Sequence, residues 1–139
     1  MQAMYTAEAT AKGGRQGHVR STDGVLDIPL AMPKELGGPG GAATNPEQLF
    51  AAGYAACFEN ALLRVARERK APIRESSVTA QVGIGREEGG YFRLGVELRV
   101  SVPGRDRKEI EEFARIAHEE VCPYSRATRG NIDVRVSVE

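Results

Sequence analysis

Apolar residues occupy every second position in three segments of the second half of the chain, and this period predicts strands. The first two lie within residues 76–102, from Val78 to Ile84 and from Leu94 to Val102, with a turn at residues 87–90 between them. Residues 132–138 alternate in the same way, which indicates one face on a core and one face in water. The pattern predicts a hairpin and one later strand.

The first helix is predicted from a capping sequence and an apolar stripe. Asn45 and Pro46 give an N-cap followed by the proline that is favoured in a first turn, and Gln48 completes a capping box. Pro72 is expected to end this helix. The apolar residues that recur at helical spacing are Phe50, Tyr54, Cys57, Ala61 and Val65.

The second helix is predicted in the same manner. Asp106 and Glu109 form its capping box. Pro123 is expected to end it directly after Cys122, because proline disfavours helical dihedral angles at the residue before it. The buried stripe of this helix is predicted to contain Ile110, Phe113, Ala114, Ala117 and Val121.

Glycines divide the N-terminal part into short segments. Residues 5–30 are predicted to form short strands separated at Gly13-Gly14 and at residues 22–24, and residues 35–41 have no period and predict a loop. This order of strands and helices describes an α+β fold with mainly antiparallel sheet. For a chain of 139 residues we expect one domain, residues 1–139.

The charge balance argues against several classes of partner. Lys and Arg together number 19, as do Asp and Glu, so the protein has no net positive charge that would attract nucleic acid or anionic lipid. No apolar run has the length of a membrane helix, and the N-terminus has no targeting pattern, so we expect a cytoplasmic protein. Ordinary thiols stay reduced there, and any bond between the 2 cysteines would be transient and catalytic, or redox sensing.

The two cysteines have different surroundings in the predicted elements. Cys57 lies on the buried stripe of the first helix, where a thiol is usually only a small hydrophobic residue. Cys122 lies at the predicted end of the second helix, a mobile place where a thiol can swing toward a partner. Position alone leaves both an inert and a reactive interpretation open for each.

A reactive cysteine needs a group that stabilises its thiolate, and Arg15 is the candidate. Arg15 is held between glycines in the sequence GGRQG, a tight segment that could direct a guanidinium inward. An inward arginine needs a carboxylate, and Glu47 in the first turn of the predicted helix is available. The alternatives are a solvated turn arginine and a glutamate that only complements the helix dipole.

The sequence offers little support for a metal or a bound cofactor. His118 and Cys122 have the spacing of a two-ligand face on a helix, but only His18 and Cys57 remain as further soft ligands, on other elements. The glycine-rich loop lacks the Gly-Lys-Ser/Thr ending of a phosphate-binding loop. We therefore expect no metal site and no bound cofactor.

Two long motifs resemble those of a known family. Residues 44–58, TNPEQLFAAGYAACF, are similar to the first cysteine motif of the organic hydroperoxide resistance proteins, which belong with the osmotically inducible OsmC-like proteins. VCPYS at residues 121–125 and ATRGNIDV at residues 127–134 resemble the second motif and favour the hydroperoxide branch. Residues 13–15 and 21–26 also fit, so the resemblance covers nearly the whole chain.

The resemblance implies a site, a reaction and an assembly. It makes Cys57 the peroxidatic thiol that attacks an alkyl or lipid hydroperoxide, Cys122 the resolving thiol that forms a disulfide with it, and Arg15 with Glu47 the activating pair. The family is recycled by dihydrolipoyl groups, often on lipoylated proteins, with no bound cofactor. Its fold is an intertwined homodimer in which antiparallel sheets wrap central helices. Gln16 departs from the acidic residue more often expected there.

Two other functions and one geometric question stay open. A thiol redox sensor is the main alternative, although no DNA-reading face is evident, and a structural domain with two inert cysteines is the third. In a straight helix, Glu47 and Cys57 would lie about 15 Å apart on different faces. We therefore expect that Glu47 of one subunit completes the site around Cys57 of the other in a two-fold dimer.

Overall fold

Glycine turns separate three short strands at the start of the chain, as the sequence predicts. The structure is a computed structural model that describes residues 1–139, and residues 1–49 form the first of its two units. Gly24 lies between the second and third strands with a φ of 74°, a left-handed conformation that favours glycine. The antiparallel sheet consists, in spatial order, of β1 (Ala9–Lys12), β2 (His18–Ser21) and β3 (Asp27–Pro29).

The first helix, α1, runs without interruption over Pro46–Glu68. Its start is fixed by the predicted cap, because the Asn45 side chain accepts a hydrogen bond from the Gln48 amide at 2.8 Å. The chain leaves the helix before the predicted stop at Pro72, and Lys70 adopts a left-handed φ of 57°. No helix of the structure combines the length and the apolar composition that crossing a membrane requires.

A second three-stranded sheet belongs to the second unit, residues 50–139. Its strands are β4 (Ser77–Arg86), β5 (Phe92–Ser101) and β6 (Val134–Val138). β4 and β5 form the predicted antiparallel hairpin, whereas β6 pairs parallel to β5. The parallel pairing is possible because the whole helical segment between these strands serves as the crossover connection that parallel neighbours need.

The helical segment between β5 and β6 differs from the prediction at its end. α2 (Arg107–Ile116) begins at the predicted cap, where Asp106 accepts from the Glu109 amide at 3.0 Å. It continues into a π-helical turn, Ala117–Val121, and a third helix, α3 (Pro123–Thr128), follows at once. Proline is favoured in the first turn of a helix, so Pro123 starts α3 as well as ending the segment before it.

The core of the second unit lies between α1, α2 and the inner face of the second sheet. β5 alternates as predicted, with Val96, Leu98 and Val100 buried. The buried residues of α1 are Tyr54, Phe58, Ala61, Leu62, Val65 and Ala66. Cys122 is part of this core, and Cys57 packs against it while partly buried. The core therefore holds both cysteines on well-packed elements.

Candidate active site

The structure brings the two cysteines together although they lie far apart in the sequence. Cys57 is in the middle of α1, and Cys122 is the N-cap residue of α3. Both thiols are free, and their sulfur atoms are 3.7 Å apart. A disulfide bond requires about 2.05 Å between sulfurs. A movement of less than 2 Å would therefore bring the pair to bonding distance.

The exposure of the two thiols is the reverse of what their positions in the sequence suggested. Cys122 is only 1% exposed, whereas Cys57 is partly exposed at the edge of the core. Cys122 does not lie at a free helix end, because its amide donates to the Ala117 carbonyl at 2.8 Å and closes the π turn, and α3 follows directly. The buried face of α1 centres on Tyr54 and Phe58, which leaves Cys57 at its border.

The surroundings of Cys57 in this chain favour the neutral thiol. Burial raises the pKa of Cys57, and the neighbouring Cys122 raises it further. The backbone N–H of Tyr124 acts in the opposite direction by donating a hydrogen bond to the sulfur. No cation contributes to the shift of this pKa. A thiolate at neutral pH therefore needs an additional positive charge.

Arg15 and Glu47, the predicted activating pair, form a bidentate ion pair within the first unit. The two guanidinium nitrogens donate to the two carboxylate oxygens at 2.8 and 2.7 Å. The hydrogen bond from Arg15 lowers the pKa of Glu47, and the hydrogen bond to Glu47 raises the pKa of Arg15. The two planar groups hold each other in one orientation. The structure thus brings these two candidates together.

Two glycines fix the short turn that carries Arg15. Gly14–Gln16 form a single 3-10 turn, and Gly13 precedes it in a left-handed conformation with a φ of 81°. A Cβ atom at Gly17 would lie only 1.7 Å from the carbonyl oxygen of Lys12. A side chain at Gly17 is therefore incompatible with this turn, and the glycines of GGRQG are required by its backbone.

A buried group of hydroxyls beside Cys122 was not identified as functional from the sequence. The Tyr54 hydroxyl lies 2.9 Å from Ser125 Oγ and 3.1 Å from Thr128 Oγ1. His118 Nδ1 lies 2.9 Å from the same Ser125 oxygen, and the Ser125 amide donates to Cys122 Sγ at 3.5 Å. One available signal was the pair Ser125 and Thr128, three residues apart directly after the cysteine.

His118 contacts Ser125, and its helical spacing to Cys122 is the feature that raised the question of a metal ligand. No group of three or more His, Cys, Asp or Glu side chains is arranged to hold a metal ion. Burial lowers the pKa of His118, and the nearby Arg129 lowers it further. These surroundings favour the neutral imidazole, which carries its one proton on either Nδ1 or Nε2.

Aromatic side chains line the region next to the thiols. Tyr124 packs against Tyr54 and Phe50, with ring centroids 5.7 and 6.3 Å away. A Cβ atom at Gly53 would approach the Tyr124 hydroxyl to 3.0 Å, so the absence of a side chain at Gly53 lets this ring lie close to α1. Tyr124 is 40% exposed, which leaves an accessible apolar surface beside Cys57.

Comparisons with known proteins agree with this architecture. The profile of the family described as OsmC-like protein matches residues 38–137. The organic hydroperoxide resistance protein of Xanthomonas axonopodis pv. citri (strain 306) is 54% identical over 138 residues, 99% of this chain and 96% of that protein. The organic hydroperoxide resistance protein OhrB of Bacillus subtilis (strain 168) is 49% identical over 138 residues, 99% of each chain.

A solved structure is similar to this chain in fold as well as in sequence. The crystal structure of an organic hydroperoxide resistance protein OsmC from Legionella pneumophila superposes with a TM-score of 0.93, at 53% identity and with 99% of both chains covered. The predicted α+β, OsmC-like fold is confirmed, and so is the resemblance inferred from the two cysteine motifs. On the family match and these identities, the chain belongs to the OsmC-like family.

Proposed function

We propose that this protein contributes to organic hydroperoxide resistance by reducing alkyl or lipid hydroperoxides to alcohols. The relatives that share about half of its residues over nearly its whole length are named organic hydroperoxide resistance proteins. The observation that carries the chemistry is the thiol pair, in which a partly exposed Cys57 lies 3.7 Å from a buried Cys122. This arrangement suits one sulfur that meets the substrate and one that reacts only with its neighbour.

In the proposed first step, the Cys57 thiolate attacks the terminal oxygen of the hydroperoxide. The O–O bond breaks, an S–O bond forms, and the sulfur gives its electron pair to the peroxide. The alkoxide leaves and takes up a proton to become the alcohol, while Cys57 becomes a sulfenic acid. The exposed Tyr124 ring and Phe50 provide an apolar approach for the alkyl group.

Activation of Cys57 is assigned to Arg15, held in place by Glu47. Because burial raises the pKa of Cys57, a fixed guanidinium next to the sulfur would favour the thiolate and stabilise the charge that develops in the transition state. We propose a homodimer in which these two residues come from the second copy. Gln16, the residue that departs from the family pattern, lies directly after Arg15 in the same 3-10 turn.

In the proposed second step, the Cys122 thiol reacts with the Cys57 sulfenic acid. An S–S bond forms, the S–O bond breaks, and the thiol proton leaves with the hydroxide as water. A dithiol, the dihydrolipoyl group of a lipoylated protein, then reduces the disulfide by thiol–disulfide exchange. The proposed cycle needs no bound cofactor, and we propose the reducing cytoplasm as its location.

The test is turnover of tert-butyl and cumene hydroperoxide with dihydrolipoamide as the reductant. We expect multiple turnovers in the wild type and none in Cys57→Ser, while Cys122→Ser should undergo one stoichiometric oxidation and then stop, because only Cys57 attacks the substrate. Full multiple turnover by Cys57→Ser would contradict the assignment. A wild type that oxidises once and stalls with every dithiol would instead be a redox sensor.

A further inference from the structure

Four polar side chains in the second unit form one continuous hydrogen-bonded chain next to the thiol pair. It runs from His118 in the π turn through Ser125 and Tyr54 to Thr128, with successive distances of 2.9, 2.9 and 3.1 Å. Ser125 and Tyr54 are completely buried, and Thr128 is 7% exposed. Buried hydroxyls need both a donor and an acceptor, so the direction of every bond in this chain has energetic consequences.

The donor and acceptor roles along this series of hydrogen bonds are fixed at its Thr128 end. The Thr128 hydroxyl donates to the backbone carbonyls of Tyr124 and Ser125, both at 3.1 Å, and a carbonyl can only accept. With its hydrogen used there, Thr128 must accept from Tyr54. Tyr54 must then accept from Ser125. The Ser125 hydroxyl must therefore accept a hydrogen bond from His118, so His118 carries its proton on Nδ1.

The same serine also contacts the resolving sulfur. While its hydroxyl takes part in the chain, the backbone N–H of Ser125 donates to Cys122 Sγ at 3.5 Å. Cys122 in turn points its thiol at Cys57 Sγ. His118 is half-buried, and its carbonyl accepts from Arg129 at 2.6 Å, which fixes its backbone as well. Ser125 therefore links the orientation of the imidazole to the orientation of the thiol.

We propose that His118 is a positioning residue for closure of the disulfide: by donating from Nδ1 to Ser125, it holds the Ser125 amide on Cys122 Sγ and the Cys122 sulfur toward Cys57. The inference rests on the proposed function and concerns its second step. There the Cys122 sulfur attacks the sulfenic sulfur, its proton leaves in water, and the negative charge that develops on Cys122 accepts the Ser125 N–H. Attack on the hydroperoxide by Cys57 does not use this contact.

Asn and Gln at position 118 form a matched pair of variants. The side-chain amide nitrogen of Asn can take the place of Nδ1, whereas the longer Gln carries its amide at the distance of Nε2. A single turnover resolves the two steps, since loss of the Cys57 thiol and formation of the disulfide are separate events. His118→Ala and His118→Gln should slow disulfide closure about tenfold, while His118→Asn stays within about threefold of the wild type.

The oxidation of Cys57 in the same samples serves as the internal control. It should proceed at the wild-type rate in all three variants, and Ser125→Ala should slow closure without adding to the effect of His118→Ala. Wild-type closure in His118→Ala and His118→Gln would overturn the inference. Equal slowing of both steps, or no rescue by His118→Asn, would also overturn it. Failure of wild-type Cys57 to react with hydroperoxide would instead contradict the proposed function.

Discussion

At the scale of single residues, the difference in exposure between the two cysteines separates their proposed roles. A cysteine residue that is only 1% exposed, as Cys122 is, is too buried to meet a hydroperoxide or a bulky dithiol directly. Cys57 is accessible, but its pKa is raised, so access alone does not make it a nucleophile. The proposed reaction therefore depends on a charge that reaches Cys57 from a fixed guanidinium.

The first prediction concerns Arg15. Near neutral pH, Arg15→Ala should slow alkylation of Cys57 by iodoacetamide about tenfold, because less of the thiol is ionised without the guanidinium. Arg15→Lys should have a smaller effect, since lysine keeps the charge but loses the planar fork that Glu47 holds at two points.

Arg20→Ala is the matched control for the Arg15 variants. Arg20 lies on the neighbouring strand β2, with a side chain that is 63% exposed and 3.4 Å from Asp27. Its removal changes the net charge by the same amount and should leave the alkylation rate of Cys57 unchanged. Equal alkylation rates in the wild type and Arg15→Ala would mean that another group activates the thiol.

At the scale of elements, hydroxyl contacts join α1 to α3. The Tyr54 hydroxyl of α1 accepts from Ser125 and donates to Thr128, and both partners are on α3. Removing that hydroxyl leaves the Ser125 hydroxyl without an acceptor in a buried position. Tyr54→Phe should therefore lower the free energy of unfolding by about 1 to 3 kcal/mol, measured by urea denaturation.

Tyr91→Phe provides the comparison for Tyr54→Phe. Tyr91 is 73% exposed, so water replaces any contact that its hydroxyl makes, and the free energy of unfolding should change by less than about 0.5 kcal/mol. If the two variants have the same stability as the wild type, the hydrogen bonds between α1 and α3 contribute nothing to the fold.

The sequence was informative wherever a local pattern determines an element. The alternation through Val96, Leu98 and Val100 predicts β5, and the caps at Asn45 and Asp106 predict where α1 and α2 begin. These features depend on side chains within a few residues of each other, so they can be recognised from the sequence without knowledge of the tertiary structure.

The remaining features depend on contacts between distant segments. The parallel pairing of β6 follows from the crossover before it, and α3 was missed because Pro123 was interpreted only as the end of a helix. The burial of Cys122 and the contact between Tyr54 and Ser125, 71 residues apart, arise only when α1, α2 and α3 pack together. For the proposed site, the sequence motifs pointed to Cys57, Cys122, Arg15 and Glu47, whose roles stay predictions, and not to the buried hydroxyls beside Cys122.

At the scale of the whole molecule, a single chain leaves many large apolar side chains in water. Single exposed apolar residues are normal on a protein surface, so they alone do not define an interface. The exposed large apolar residues are Met1, Met4, Tyr5, Val25, Tyr91, Phe92 and Tyr124. The proposed homodimer rests on the proposed site, because no cation contributes to the raised pKa of Cys57 and the proposed second copy would supply one.

The last prediction tests whether two copies share each site. Residues ten apart on an unbroken helix are separated by about 15 Å, and α1 has no break between Glu47 and Cys57. Two such helices packed antiparallel around a two-fold axis would instead bring the start of one beside the middle of the other. Cys57→Ser and Glu47→Ala chains, each nearly inactive alone, are refolded together in equal amounts. Half of the dimers formed at random are mixed, and each has one intact site, so about a quarter of the wild-type peroxidase activity should return. Mixed dimers that are present by mass spectrometry and remain inactive would place Glu47 and Cys57 of each site in the same chain.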